Sequence, residues 1–154
     1  MIVFLLCVGI VCGTSYVGYV LALYYKKRKQ FFENFVDFLN HAKTQISFIQ
    51  SRRISIFESF CSNGSDFEKI TKDMSNGKEA KKPTYIKQEE WMVVQGFFND
   101  LGKSDVESEC QRAEATKQKA ESLLNVSEKE FEKKYSLCIK LGVAVGVAVS
   151  IIIV

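Results

Sequence analysis

Residues 2–29 read IVFLLCVGIVCGTSYVGYVLALYYKKRK, and the fold is read outward from them. From Ile2 to Tyr25 no side chain is charged, a run of 24 residues that exceeds the ~20 a helix needs to cross a hydrocarbon core of about 30 Å. Lys26-Lys27-Arg28-Lys29 closes it. A cleaved secretory signal carries its positive charge ahead of the apolar run, where only Met1 stands, and ends on a small-x-small site that is absent after this run. Cys7 follows Leu6, where a lipidated cysteine needs a small residue. The stretch reads as a spanning helix.

The chain ends on a second uncharged run, Leu141 to Val154. Those residues rise about 21 Å as helix, short of a bilayer core. Extension back to Leu137 includes Lys140, whose stem must snorkel to the headgroups. Basic residues beside spans mark the cytoplasmic side, and here they lie inward of both runs, at 26–29 and at Lys133, Lys134 and Lys140. The expectation is a cell-membrane protein with two spans, 1–25 and 135–154. Residues 26–134 then form one cytoplasmic domain.

The net charge of +3 becomes −1 once the four basic residues at 26–29 are set aside, so a nucleic-acid partner is not expected. Those four residues are expected to fix topology and touch anionic lipid. Cys7, Cys12, Cys61, Cys110 and Cys138 are odd in number and unpaired in spacing; in a cytoplasmic domain they stay reduced.

Between Gly18 and Gly64 there is neither Gly nor Pro, and Phe35, Leu39, Ala42, Ile46 and Ile49 alternate in steps of four and three. This is the apolar stripe of a helix continuous with the first span. A break or second helix is expected near Arg52-Arg53, before Ile54, Ile56, Phe57 and Phe60. Ser65 with Glu68 forms a capping box opening a short helix that ends at Asn76-Gly77. Gly77 to Thr84 holds the one proline, Pro83, and reads as an exposed loop. The next helix carries Trp91, Val94, Phe98 and Leu101 on one face and closes at Gly102. Ser104 with Glu107 opens the last helix, with Val106, Cys110, Ala113, Ala120, Leu124, Phe131 and Tyr135 inward. No breaker separates Asp105 from Gly142, so that helix enters the membrane unbroken. The fold class is all-α: a membrane-anchored helical bundle whose two long helices are joined by shorter ones. An extended stalk competes, but Pro83, the two caps and the phenylalanine clusters favour a bundle.

No catalytic constellation emerges. His41 is the only histidine, there is no CxxC, and Asn76-Gly77-Lys78 lacks the GxxxxGK[ST] frame that cradles phosphate. No metal, cofactor or small-molecule substrate is expected. Asn63-Gly64-Ser65 and Asn125-Val126-Ser127 match the glycosylation pattern by chance in a cytoplasmic domain. Two sets of residues point to binding. Gly9 with Gly13, and Gly142 with Gly146 and Ser150, are small residues four apart that let another helix approach. Asp100, Asp105, Glu107, Glu109 and Glu114 outnumber Lys103 and Arg112; such a run is a solvated face or an acidic surface for a basic partner.

Gly96-Phe97-Phe98-Asn99-Asp100-Leu101-Gly102-Lys103-Ser104-Asp105 resembles the G-x-x-x-x-LG-x-x-D signature of the stage III sporulation protein AB family. The uncharged start, the basic cluster ending at Lys29-Gln30, the long closing helix and the terminal Leu141-Gly142 run agree with it in order and spacing. Two positions depart. Ser55 stands where the family's small-x-Thr-Pro-Leu segment has proline, and Glu109 where a glutamine follows the Asp by four.

The resemblance implies a non-enzymatic membrane component of the secretion-like complex between mother cell and forespore, similar to the cytoplasmic helical domains of type II secretion and type IV pilus platform proteins. It implies the cognate cytoplasmic secretion-type ATPase as partner, beside other membrane subunits. Gly96, Asp100, Leu101, Gly102, Asp105, Glu107 and Glu109 then form the expected docking surface, and helices 26–50 and 105–137 carry displacement to the spans. A structural anchor that assembles subunits through its spans is the alternative.

Overall fold

The computed structural model describes residues 2–49, 56, 60, 66–76 and 78–153, and among them every regular element is helical. Helix α1 runs Ile2–Thr44 and widens into a π-helical turn at Gln45–Ile49. Helix α2 is Asp66–Ser75, α3 is Gln88–Asp100 and α4 is Val106–Ile153. The all-α expectation holds. The expected break at Arg52-Arg53, with Ile54, Phe57 and the Ser65 cap, lies outside the described residues.

The chain divides into two units, residues 30–125 and residues 1–29 with 126–154. In the first, the predicted stripe of α1 is the core face: Phe35 and Ala42 are fully buried and Leu39 and Ile46 nearly so. Phe31, Phe35 and Phe38 meet Phe67 of α2 at ring separations of 5.3, 6.0 and 6.0 Å. Phe38 meets Phe98 of α3 at 5.1 Å. Edge-on and tilted pairs of this kind each add about 0.5–1.5 kcal/mol beyond area burial, so a small unit gains a rigid centre from few residues.

Trp91, Val94, Phe98 and Leu101 are all buried, as the periodicity of α3 predicts. Against this aromatic mass α4 sets Ala113 and Ala120, both buried; small side chains let its backbone come close. Val106, expected inward, is 41% exposed, because it is the first residue of α4 and its turn points away from the core. The 78–87 connection is exposed at most positions. It is pinned by Tyr85, whose hydroxyl donates to Asp66 at 3.1 Å, and by the Ile86 N–H on the Pro83 carbonyl at 3.2 Å. Burial raises the Tyr85 hydroxyl well above its ordinary pKa, with the Asp66 charge adding to it. The first turn of α3 is capped by Glu90, whose buried carboxylate reaches back to accept the Lys87 N–H at 3.0 Å.

The second unit is an antiparallel helix pair. Cys7 meets Ser150, Thr14 meets Gly146, Gly18 meets Gly142, and Arg28 meets Glu130. Both helices are long and apolar enough to cross a membrane, and their outer faces show Val17, Leu21, Leu141, Val145 and Ile151.

Candidate functional site

The signature residues Leu101 to Asp105 form the turn between α3 and α4, and the turn is built around one carboxylate. The α3 helix ends with the Leu101 N–H on the Phe97 carbonyl at 3.0 Å. Leu101 itself turns inward, 2% exposed, in the aromatic core. Gly102 then takes φ 82°, a left-handed conformation open to a residue without Cβ. This redirection aims three successive N–H groups, of Gly102, Lys103 and Ser104, at one oxygen of Glu109, each at 3.1 Å.

Glu109 is 5% exposed. Its charge is matched by those donors and by Arg112, whose guanidinium lies 3.8 Å away. Arg112 also donates to the Asp100 carbonyl and the Ser104 hydroxyl, both at 3.2 Å. Sequence reasoning gave Arg112 no role. Its position three residues after Glu109, on the face turned to the loop, was the available signal.

Asp105, not Ser104, is the residue that caps α4. Its carboxylate accepts the Ser108 N–H at 3.1 Å. The Ser108 hydroxyl and then that N–H hold Asp105 below the usual carboxylate range. Farther along, the Lys43 ammonium donates to Glu114 at 2.7 Å, which lowers Glu114 and raises Lys43. Asp105 stabilises the fold in its ionised form, so its contribution is complete above the unfolded carboxylate pKa and is lost as pH falls through the lowered folded value. Thermal melting of wild type and Asp105→Ala across pH is expected to show a gap that is constant near neutrality and closes in acid. A gap that widens in acid would contradict this assignment.

The expected docking residues therefore separate into two groups. Gly96, Asp100, Gly102, Asp105 and Glu107 are exposed, whereas Leu101 and Glu109 are buried and shape the turn from within. A Cβ at Gly96 would meet nothing within 4 Å.

In the helix pair, the residues of α4 singled out from the sequence all face α1. A Cβ at Gly142 would stand 2.8 Å from the Thr14 carbonyl oxygen, and one at Gly146 would stand 2.9 Å from Val11 Cα and run into the Thr14 hydroxyl. The Ser150 hydroxyl donates to the Gly146 and Cys7 carbonyls at 2.9 and 3.4 Å. Gly9 and Gly13 have nothing within 4 Å of a Cβ. On α1 the close contact with α4 falls at Gly18, where a Cβ would lie 2.6 Å from the Cys138 carbonyl oxygen; its step of five from Gly13 lies outside the four-residue spacing that the sequence shows.

The basic cluster after the first span does more than mark a side. Arg28 is 3% exposed and ion-paired with Glu130. Lys29 reaches Glu128 at 3.3 Å and lies 5.6 Å over the Phe131 ring. Together they clasp α1 to α4 at one end of the apolar pair.

Among the described residues no group of three His, Cys, Asp or Glu is placed to hold a metal ion. The turn is a surface whose backbone is held from beneath by Glu109. No curated protein and no solved structure matches the chain. The family model for stage III sporulation protein AB matches residues 55–154, a range that contains the whole Gly96–Glu109 turn and all of α4. The chain belongs to the stage III sporulation protein AB family.

Proposed function

We propose that this sporulation protein is a non-enzymatic platform in the cell membrane, with both apolar helices spanning and residues 26–134 in the cytoplasm. It serves the secretion-like complex between mother cell and forespore, in the mother-cell membrane that faces the forespore. It docks the cognate secretion-type ATPase on the exposed rim of the α3–α4 turn. The observation that carries this reading is the pinning of that turn by Glu109: Asp105 on the turn, Asp100 at the end of α3 and Glu107 at the start of α4 are exposed around a backbone fixed from beneath. A preorganised acidic rim suits a basic partner, because little ordering entropy remains to be lost on binding.

The test is capture of the purified ATPase by the full chain in detergent. Asp100→Lys with Glu107→Lys is the informative variant, since Asp105 caps α4 and its reversal would disturb the fold. Binding is expected to fall several-fold and to weaken with salt. Unchanged capture would remove this rim as the docking surface. A second reading, a structural anchor without ATPase contact, is favoured by Gly9, which lies outside the lining of the apolar groove beside Gly18 and has open space for a partner's close approach. Under that reading the charge-reversed chain still assembles with its membrane subunits and the ATPase is never retained.

A further inference from the structure

Beside the contact between Gly18 and Gly142 the helix pair leaves an apolar groove of about 360 Å³, within the ~300–1,000 Å³ typical of small-molecule sites. Val17 and Leu21 of α1 and Leu141 and Val145 of α4 form its walls. Gly13 lines it without a side chain, and a Cβ there would meet nothing within 4 Å. From Leu21 to Gly13 the groove runs about 12 Å along α1, close to half of a hydrocarbon core of about 30 Å. It is one leaflet deep. A third helix would need a seat along the whole pair, yet the lining residues stop at Gly13 and Val145.

The mouth of the groove is cationic. Lys134 lies seven residues before Leu141 and eleven before Val145, on the same stripe of α4 by helical spacing. Its ammonium sits 5.2 Å over the ring of Tyr25, about one turn past Leu21. Its contact with Glu130 is 3.9 Å, a loose pair, and nearly half of the side chain is exposed. Lys26 and Lys133 are exposed nearby in sequence on the two helices.

We propose that this groove holds one anionic phospholipid from the leaflet on the Lys134 side, its acyl chain between Leu21 and Leu141 and its phosphate on Lys134. An apolar slot of leaflet depth takes a chain, and a surplus of lysine at its mouth selects a headgroup of net negative charge. The site is independent of ATPase docking, so its failure leaves the platform reading intact.

The test is native mass spectrometry of the full chain released from nanodiscs containing equal phosphatidylglycerol and phosphatidylcholine. One retained phosphatidylglycerol per chain is expected, favoured over phosphatidylcholine about fivefold, the discrimination that one lysine gives near a charged surface. Gly13→Leu and, from the opposite wall, Val145→Phe fill the groove and should each abolish retention. Oxidative cross-linking of Cys7 to Ser150→Cys in the same backgrounds reports whether the helix pair is intact. Lys134→Gln should keep a lipid but bring the two headgroups to parity. Four outcomes would overturn the proposal: no retained lipid in wild type, equal retention of both headgroups, full retention with the pair intact in both filled variants, or a wild-type dimer that Gly13→Leu converts to monomer.

Discussion

Glu109→Ala is expected to destabilise the protein by about 2–4 kcal/mol, whereas Glu109→Gln is expected to cost about 1 kcal/mol or less. One buried oxygen accepts three backbone N–H groups, and hydrogen bonds to a charged acceptor contribute about 1.5–3 kcal/mol each. The loss is smaller than three such bonds because Gly102, Lys103 and Ser104 are exposed and water can reach their freed N–H groups. Glutamine keeps an oxygen of the same reach. It forfeits the charge and the long contact to Arg112, while the geometry of the turn is unchanged. Trp91 is the sole tryptophan of the chain and sits buried in α3, so its fluorescence during thermal unfolding of the full chain reads this region directly. At roughly 2–4 °C per kcal/mol for a chain of this size, Glu109→Ala should melt on the order of 10 °C lower. Equal melting of the Ala and Gln variants would show that the three-fold acceptor does not hold the turn.

That comparison also explains the departure of this chain from its family signature. Glutamine and glutamate at position 109 both present a carbonyl-type oxygen to the same N–H groups, so the exchange preserves the turn and changes the charge beneath it. The sequence alone pointed to an acidic surface, since a glutamate four residues into a helix is ordinarily solvated. Its burial depends on the left-handed Gly102, which turns the loop back over the helix. Helical periodicity read the core well: Phe35, Leu39, Ala42, Trp91, Val94 and Phe98 are spaced by the period of one helix, and burial follows from that period. Contacts between helices were less legible. Whether Gly13 or Gly18 meets α4 depends on the crossing geometry and register of two helices, and a four-residue spacing within one helix carries neither. In sequence Arg28 carries only a topology signal, because its partner Glu130 lies 102 positions along the chain.

Gly142→Leu is expected to separate the apolar helix pair, and Gly9→Leu to leave it closed. A side chain at Gly142 would start 2.8 Å from the Thr14 carbonyl oxygen and 3.1 Å from Gly18 Cα. Both obstacles are backbone, which cannot rotate aside as a side chain can. In lipid there is little hydrophobic drive to restore the contact, since association rests on close packing. Overpacking of this kind costs about 1–3 kcal/mol, which is about fivefold to 150-fold in the ratio of closed to open pair. Position 9 offers open space instead. The Cys7 carbonyl lies 3.4 Å from the Ser150 hydroxyl, so Ser150→Cys sets a second thiol beside Cys7 and the yield of their oxidative cross-link measures closure. Arg28 and Glu130 still clasp the other end of the pair, so opening should show most strongly at Cys7, the end farthest from the clasp. Cross-linking that survives Gly142→Leu but is lost in Gly9→Leu would place the contact on the opposite face of α1 and overturn the register described for this pair.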